Sequence, residues 1–301
     1  MIISASYKTD IPAFYTPWFV NRLAAGFCKM VNPYNQQVYD ISLKKEDVQA
    51  FVFWSRNYQP FLDADVLENL EKPFVCHLSV LDYPRILDQS TISKEKAVAQ
   101  LREISKRFGK KSAVWRYDPI VISADTPIDW HLNTFGEIVA DLDGVVDEVM
   151  VSFVQFYRKT QRNLQAKEVR TLDPGPAEKQ EILLKLHALA AQHGIQLTLC
   201  AQPDLLCGSI KPSACIDVTR LEEIAGHSLV VPKKPHRKEC GCASSKDIGE
   251  YNTCPHGCLY CYAVEHRDLA KSRYQNHDPD SAFLFETEGV KARTESQGNL
   301  F

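Results

Sequence analysis

The chain has 301 residues, 45% of them apolar and 24% charged, and a formal net charge of −3. That is enough chain for one large domain with a full core, and the mild negative charge excludes a whole-molecule field that gathers nucleic acid, leaving local basic patches as the only route to such a partner. No apolar run reaches the roughly 20 residues needed to span a bilayer, and residues 1–6 carry neither the basic start nor the cleavage site of a signal peptide, so a cytoplasmic protein is expected.

Apolar runs of strand length recur along the chain, at residues 2–6, 51–54, 74–80, 113–117, 148–154, 195–201 and, more weakly, 214–217. Helical patterns lie between them, at 17–25, 94–108, 130–143 and 178–193. The second is amphipathic and Gly109 can end it. The last presents Ile182, Leu183, Leu186, Leu189 and Ala190 on one face and stops at Gly194. A final short strand or turn at 244–249 and a helix beginning near Ala263 complete the pattern. Strands alternating with helices predict a parallel α/β sheet with crossover helices. About seven such units favour a TIM-type (β/α) barrel, with an open doubly wound sheet as the alternative. Residues 1–277 are expected to form this single domain.

In such folds function gathers where strands end and loops begin. Asp10 follows the first strand, Asn57 the second, and Arg116 and Asp118 the fourth. Arg116 and Asp118 read equally well as an ion pair tying a loop or as groups that hold a substrate.

Ten cysteines is a high count for a reducing compartment, where clustered thiols point to metal rather than disulfides. Cys28, Cys76 and Cys200 stand alone in apolar surroundings and read as small buried hydrophobes. The other seven crowd the segment 207–262. Cys254, Cys258 and Cys261 have C-x3-C-x2-C spacing, which suits one iron–sulfur cluster with an iron left open to substrate. Zinc is the competing ion, with Cys240, Cys242 and His256 able to join the set. Cys215 with Cys240 and Cys242 can hold a second cluster or a structural zinc, and Cys207 reads as a bystander.

The aromatic before the last cysteine makes Cys254–Cys261 resemble the cluster motif of radical S-adenosylmethionine (SAM) enzymes. The form Cys258-Leu259-Tyr260-Cys261-Tyr262 is similar to the spore photoproduct lyase branch. That resemblance implies a [4Fe-4S] cluster on the three thiolates, SAM on the open iron with Tyr260 against its adenine and Asn57 nearby, and a 5'-deoxyadenosyl radical that abstracts a substrate hydrogen. Asp10, Arg116 and Asp118 are then the expected catalytic side chains. No Gly-Gly-Glu segment is present to receive the SAM amino group. The longer pattern from Cys240 to Ala263, with Thr9-Asp10-Ile11-Pro12, Phe53-Trp54, Arg116-Tyr117-Asp118-Pro119 and Ala214-Cys215-Ile216-Asp217, resembles the uncharacterised domain-of-unknown-function family 1848 to about residue 280. Where that family has Ser-Arg-Arg-Thr-Asp, this chain has Ser6-Tyr7-Lys8-Thr9-Asp10.

In radical SAM barrels the motif follows the first strand, whereas here it comes late. A circular permutation of the ring would explain this, and it places the loop after Ile248 beside Ser4, Ala5 and Ser6. From Asp278 the chain turns polar, and 278–301 is expected to be a flexible tail. Its end, Gln297-Gly298-Asn299-Leu300-Phe301, resembles the peptide by which many bacterial polymerases and repair proteins dock on the DNA sliding clamp; the plain alternative is a chance match. The basic run 233–238 is either a solvated loop or a phosphate contact. Together these features predict an iron–sulfur, radical SAM-like enzyme acting on DNA, or else a metal-stabilised adaptor without catalysis.

Overall fold

The computed structural model describes residues 1–32, 35, 37–231 and 240–286. Strand β1 (Ile2–Ala5) is buried throughout. Asp10 then caps helix α1 (Ile11–Phe14) by accepting a hydrogen bond from Ala13 N, and α2 (Thr16–Ala25) follows. A hairpin of β2 (Phe27–Val31) and β3 (Val38–Ser42), absent from the sequence reading, stands apart from the main sheet. Next come β4 (Ala50–Ser55), α3 (Gln59–Asp63), β5 (Phe74–Ser79) and α4 (Lys94–Phe108), which Gly109 ends with φ at 86°. β6 (Ala113–Ile120), β7 (Ile122–Ser123), α5 (Ile128–Asp141), β8 (Glu148–Phe153), α6 (Arg158–Gln165) and β9 (Thr171–Leu172) lead to α7 (Pro176–Gln192). The chain closes with β10 (Gln196–Leu199), β11 (Lys211–Pro212), α8 (Val218–Ala225), β12 (Ser245–Asp247) and α9 (Arg267–Gln275).

Eight strands form one parallel sheet in the order β11-β10-β8-β6-β5-β4-β1-β12. The architecture is therefore α/β with a large parallel sheet, and crossover helices account for the parallel sense. The expected strand at 214–217 lies instead at β11. Asp217 caps α8 through its side chain, so the residues before it turn into a helix and leave the ladder. β12 runs beside β1 with Ser4 opposite Asp247, and Ile248 N donates to Ser4 O at 3.1 Å. The loop after Ile248 thus lies beside β1 as expected. Gly249 makes the approach possible, since a Cβ there would stand 1.9 Å from Ser6 Oγ.

The sheet is buried on both faces, which is why its strands read as apolar runs rather than alternating ones. Phe51, Phe53, Leu78, Trp115, Tyr117, Val149, Val151 and Leu197 pack against α2, α4, α5 and α7 through residues such as Phe19, Leu101, Phe135 and Leu183. The other face, with Ile2, Val52, Val75, Val114 and Met150, packs against Ile216, Leu221, Cys242 and Ala243. Among the described residues no ladder joins β11 to β12, and the segment around α8 covers the sheet on that side.

Residues 278–286, expected as the start of the tail, pack on α2 and β2. Trp18 Nε1 donates to Ser281 O at 2.9 Å, Lys29 N to Ala282 O at 2.8 Å, and Phe283 and Leu284 are buried. Gln297, Leu300, Phe301 and the basic run 233–238 lie outside the described residues. No described helix is long and apolar enough to cross a membrane.

Behind the sheet, His131 is fully buried, with Nδ1 hydrogen-bonded to Tyr117 Oη at 2.9 Å and Nε2 to Val121 O at 3.0 Å. Burial lowers its pKa to about 4. Unfolded histidine protonates near 6.5, so between pH 6.5 and 4 the unfolded chain takes up a proton that the folded chain refuses. Stability therefore falls as pH drops through that window, by up to about 3 kcal/mol from this group. Urea unfolding at pH 7 and pH 4.5 should show a smaller loss for His131→Gln than for the wild type; equal losses would remove His131 as a cause.

Candidate metal centre

The cysteine loop leaves β12 at the C-terminal end of the parallel sheet. It has almost no regular structure, so side chains from other loops hold it. Tyr15 Oη donates to Thr253 O at 2.6 Å, Leu259 N donates to Leu87 O at 2.9 Å, and Arg267 reaches Pro255 O, Gln89 and Ser90. Gly257 takes φ at 78°, and a Cβ there would stand 2.5 Å from Arg267 Nε, so both the turn and the close approach require glycine.

Three strand ends supply the polar support. After β1, Asp10 accepts hydrogen bonds from Ser55 Oγ at 2.7 Å, Arg56 N at 2.8 Å and His256 Nε2 at 2.8 Å. His256 sits between Cys254 and Cys258 in the chain. Its other ring nitrogen faces Ser90 O at 3.4 Å, and Phe14 packs edge-on at 4.6 Å between ring centres. With both nitrogens engaged, His256 positions the loop. After β4, Arg56 pairs with Asp88, which follows β5, and Arg56 Nη1 donates to Tyr260 Oη at 2.9 Å. Tyr260 Oη donates to Asp88 Oδ1 at 2.6 Å. Burial works against the Arg56 charge, but Asp88 and Tyr260 hold its pKa above the usual guanidinium value.

Burial pushes all three thiols up, with Asp10 adding to the effect at Cys254 and Asp88 at Cys258. Backbone N–H groups pull the other way. Those of Asp10 and His256 point at Cys254 Sγ, and those of Ala263, at 3.3 Å, and Val264 point at Cys261 Sγ. N–H donors aimed at sulfur favour the thiolate and are what an iron–sulfur ligand needs. As they stand, no three Cys, His, Asp or Glu side chains among the described residues converge on one metal ion. A cubane cluster asks for something else, because each thiolate binds its own iron and the sulfurs stand apart. The donor set fits a cluster better than a single zinc ion.

The other predicted residues divide between two places. Asp10 and Tyr260 belong to the loop just described. Asn57 turns the other way, where its Oδ1 accepts from Gln59 N at 3.1 Å and Gln100 Nε2 at 2.8 Å and fixes the chain after β4. Arg116 and Asp118 pair with each other on the inner face of the sheet, Ser152 Oγ also binds Asp118, and Arg116 Nη1 donates to Cys215 Sγ at 3.1 Å. Cys215, Cys240 and Cys242 gather there and not at the Cys254–Cys261 loop. Sequence reasoning missed Asp88. An isolated Asp in a loop carries no local signal, and only the fold brings it under Tyr260. A groove of about 360 Å³ runs outside the loop, lined by Phe14, Pro255, Arg267, Lys271 and Tyr274.

Asp88 is fully buried and Arg56 nearly so. Removing one partner of such a pair costs about 3–5 kcal/mol, because it strands the other charge. Asp88→Ala should lose that much in denaturant unfolding, and Asp88→Leu combined with Arg56→Met should recover most of it; a single-variant loss under about 1 kcal/mol would show that the pair is solvated.

No match to the chain is found among curated proteins. The family model described as Domain of unknown function (DUF1848) matches residues 2–263, a span that runs from β1 through the last cysteine of the loop. That match takes in each strand of the sheet and the residues that brace the thiols, and the chain belongs to this family.

Proposed function

We propose that Cys254, Cys258 and Cys261 bind a [4Fe-4S] cluster and that the protein is a radical SAM-like iron–sulfur enzyme acting on DNA. The observation that carries the reading is the loop itself. Three thiols at cluster spacing leave the last parallel strand at its C-terminal end, with backbone N–H groups aimed at two of the sulfurs. The strand order also suits a (β/α) barrel, since the strands follow one another in chain order and the last returns beside the first. On this reading the late motif follows from permutation of the ring.

When bound, such a cluster supplies one-electron reduction and an open iron for the amino and carboxylate groups of SAM. The chain's own residues do the positioning. Asp10 and His256 fix the stretch between the first two thiols. Arg56 and Asp88 fix the hydroxyl of Tyr260 and so the plane of its ring, the surface offered to an adenine. Arg267, Lys271 and Tyr274 in the outer groove offer two cations and an aromatic ring, the chemistry that holds a nucleotide phosphate and base. The ending Gln297-Gly298-Asn299-Leu300-Phe301 suits recruitment to the sliding clamp, with Leu300 and Phe301 as apolar anchors. The missing Gly-Gly-Glu segment favours a second reading, a metal-stabilised adaptor without catalysis.

Anaerobic iron and sulfide analysis separates these readings. The wild type should carry about four irons per chain and Cys258→Ala almost none. The reduced protein should then convert SAM to 5'-deoxyadenosine; a loaded protein that never does so is the adaptor. Deleting residues 297–301 should abolish clamp pull-down, and unchanged capture rejects the docking peptide.

A further inference from the structure

A second group of thiols lies at the side of the sheet where no ladder closes it. Cys200 follows β10, Cys215 follows β11, and Cys240 and Cys242 lead into β12. Cys200 Sγ stands 3.7 Å from Cys215 Sγ. Cys215 in turn hydrogen-bonds Cys242, and Cys242 hydrogen-bonds Cys240. Cys200 is the member that sequence alone reads as a lone buried thiol.

The surroundings hold this group firmly. Ile216 N donates to Cys242 Sγ at 3.4 Å, and Ala243 N donates to Ile216 O at 3.0 Å, which ties the Cys215 segment to the Cys242 segment. His77 Nε2 donates to Cys215 O at 2.8 Å from the inner face of β5. Arg116 places a buried guanidinium against Cys215 Sγ. Four thiolates around a divalent ion carry a net charge of about −2, and a guanidinium at hydrogen-bond distance offsets part of it.

Spacing identifies the ion. Sulfurs about 2.3 Å from a tetrahedral zinc stand about 3.8 Å from one another. The Cys200–Cys215 separation matches that edge and is far too long for a disulfide. The four sulfurs touch in a row and do not yet surround one point. Rotation about χ1 between rotamers swings a cysteine sulfur by about 3 Å, the scale of closing a row into a shell.

We infer that Cys200, Cys215, Cys240 and Cys242 form a tetrathiolate site for one zinc ion, which clasps the β10–β11 end of the sheet to the approach to β12. The clasp does at that side what hydrogen bonds do between the other strands. It also anchors the segment that carries Ile216, Leu221 and Ala243 onto the inner face. The site is separate from the Cys254–Cys261 loop and does not depend on the chemistry proposed there.

The test is zinc and iron content of the full-length protein, purified anaerobically. The wild type should hold one zinc per chain. Cys200→Ser and Cys215→Ser should lower zinc at least tenfold and leave iron at the wild-type level, whereas Cys258→Ala should keep its zinc. Wild-type zinc in Cys200→Ser overturns the site. Loss of iron with Cys215→Ser overturns the zinc assignment in favour of a second cluster. Thiol alkylation of the wild type covers the case in which the variants fail to fold. The four cysteines should be protected together and become reactive together once a chelator removes zinc; a Cys200 that reacts regardless of chelator, or a Cys200–Cys215 disulfide in the mass spectrum, rejects the proposal.

Discussion

Asp247 ties the end of the chain to its beginning. Its carboxylate accepts hydrogen bonds from Ser4 Oγ at 3.2 Å, Ser6 Oγ at 2.8 Å, Tyr7 N at 3.0 Å and Gly249 N at 2.9 Å, and Lys8 Nζ lies 3.6 Å away. A buried carboxylate is tolerated only when it is paired and hydrogen-bonded, and this one has both. β12 is only three residues long, so its ladder alone is a weak anchor. With Asp247 in place the next residues have one direction to go, over the end of β1. That fixes where the cysteine loop begins.

From there the loop is built by addition. The strand ends of β1, β4 and β5 each contribute one charged side chain: Asp10, Arg56 and Asp88. Each makes a hydrogen bond to the loop, and together they hold His256 and Tyr260. A parallel sheet brings its C-terminal ends to one edge, so residues distant in sequence meet there without any helix or strand linking them. The result is an irregular loop with a defined shape, as a site that must hold its ligands in advance requires.

The two thiol groups share an electrostatic design. Arg56 paired with Asp88 lies beside Cys258, and Arg116 paired with Asp118 lies beside Cys215. In each case a buried guanidinium offsets the burial that would otherwise keep the thiol protonated, while the aspartate keeps the guanidinium itself from standing unpaired. Apolar packing surrounds both. The inner face of the sheet meets the α8 segment through Ile216 and Leu221, and the outer face meets the long helices.

Periodicity and punctuation made much of the architecture legible in the sequence. The helix at 94–108, its glycine stop and six of the parallel strands follow from apolar spacing, because burial on both faces of the sheet leaves continuous apolar runs. The C-x3-C-x2-C spacing and its place after a strand were also local facts. The hairpin β2–β3 and the two-residue β11 were not legible, since short strands with exposed residues lack a distinguishing pattern. Nor were the partnerships of Asp88 with Tyr260, 172 residues apart, of Cys200 with Cys215, or of Asp247 with Ser6, 241 residues apart. Sequence determined which residues are able to bind metal and which segments are strands. Only the tertiary structure decided which thiols and charges share a site, because that depends on where each strand ends in the sheet, and a strand's neighbours are not written in its own residues.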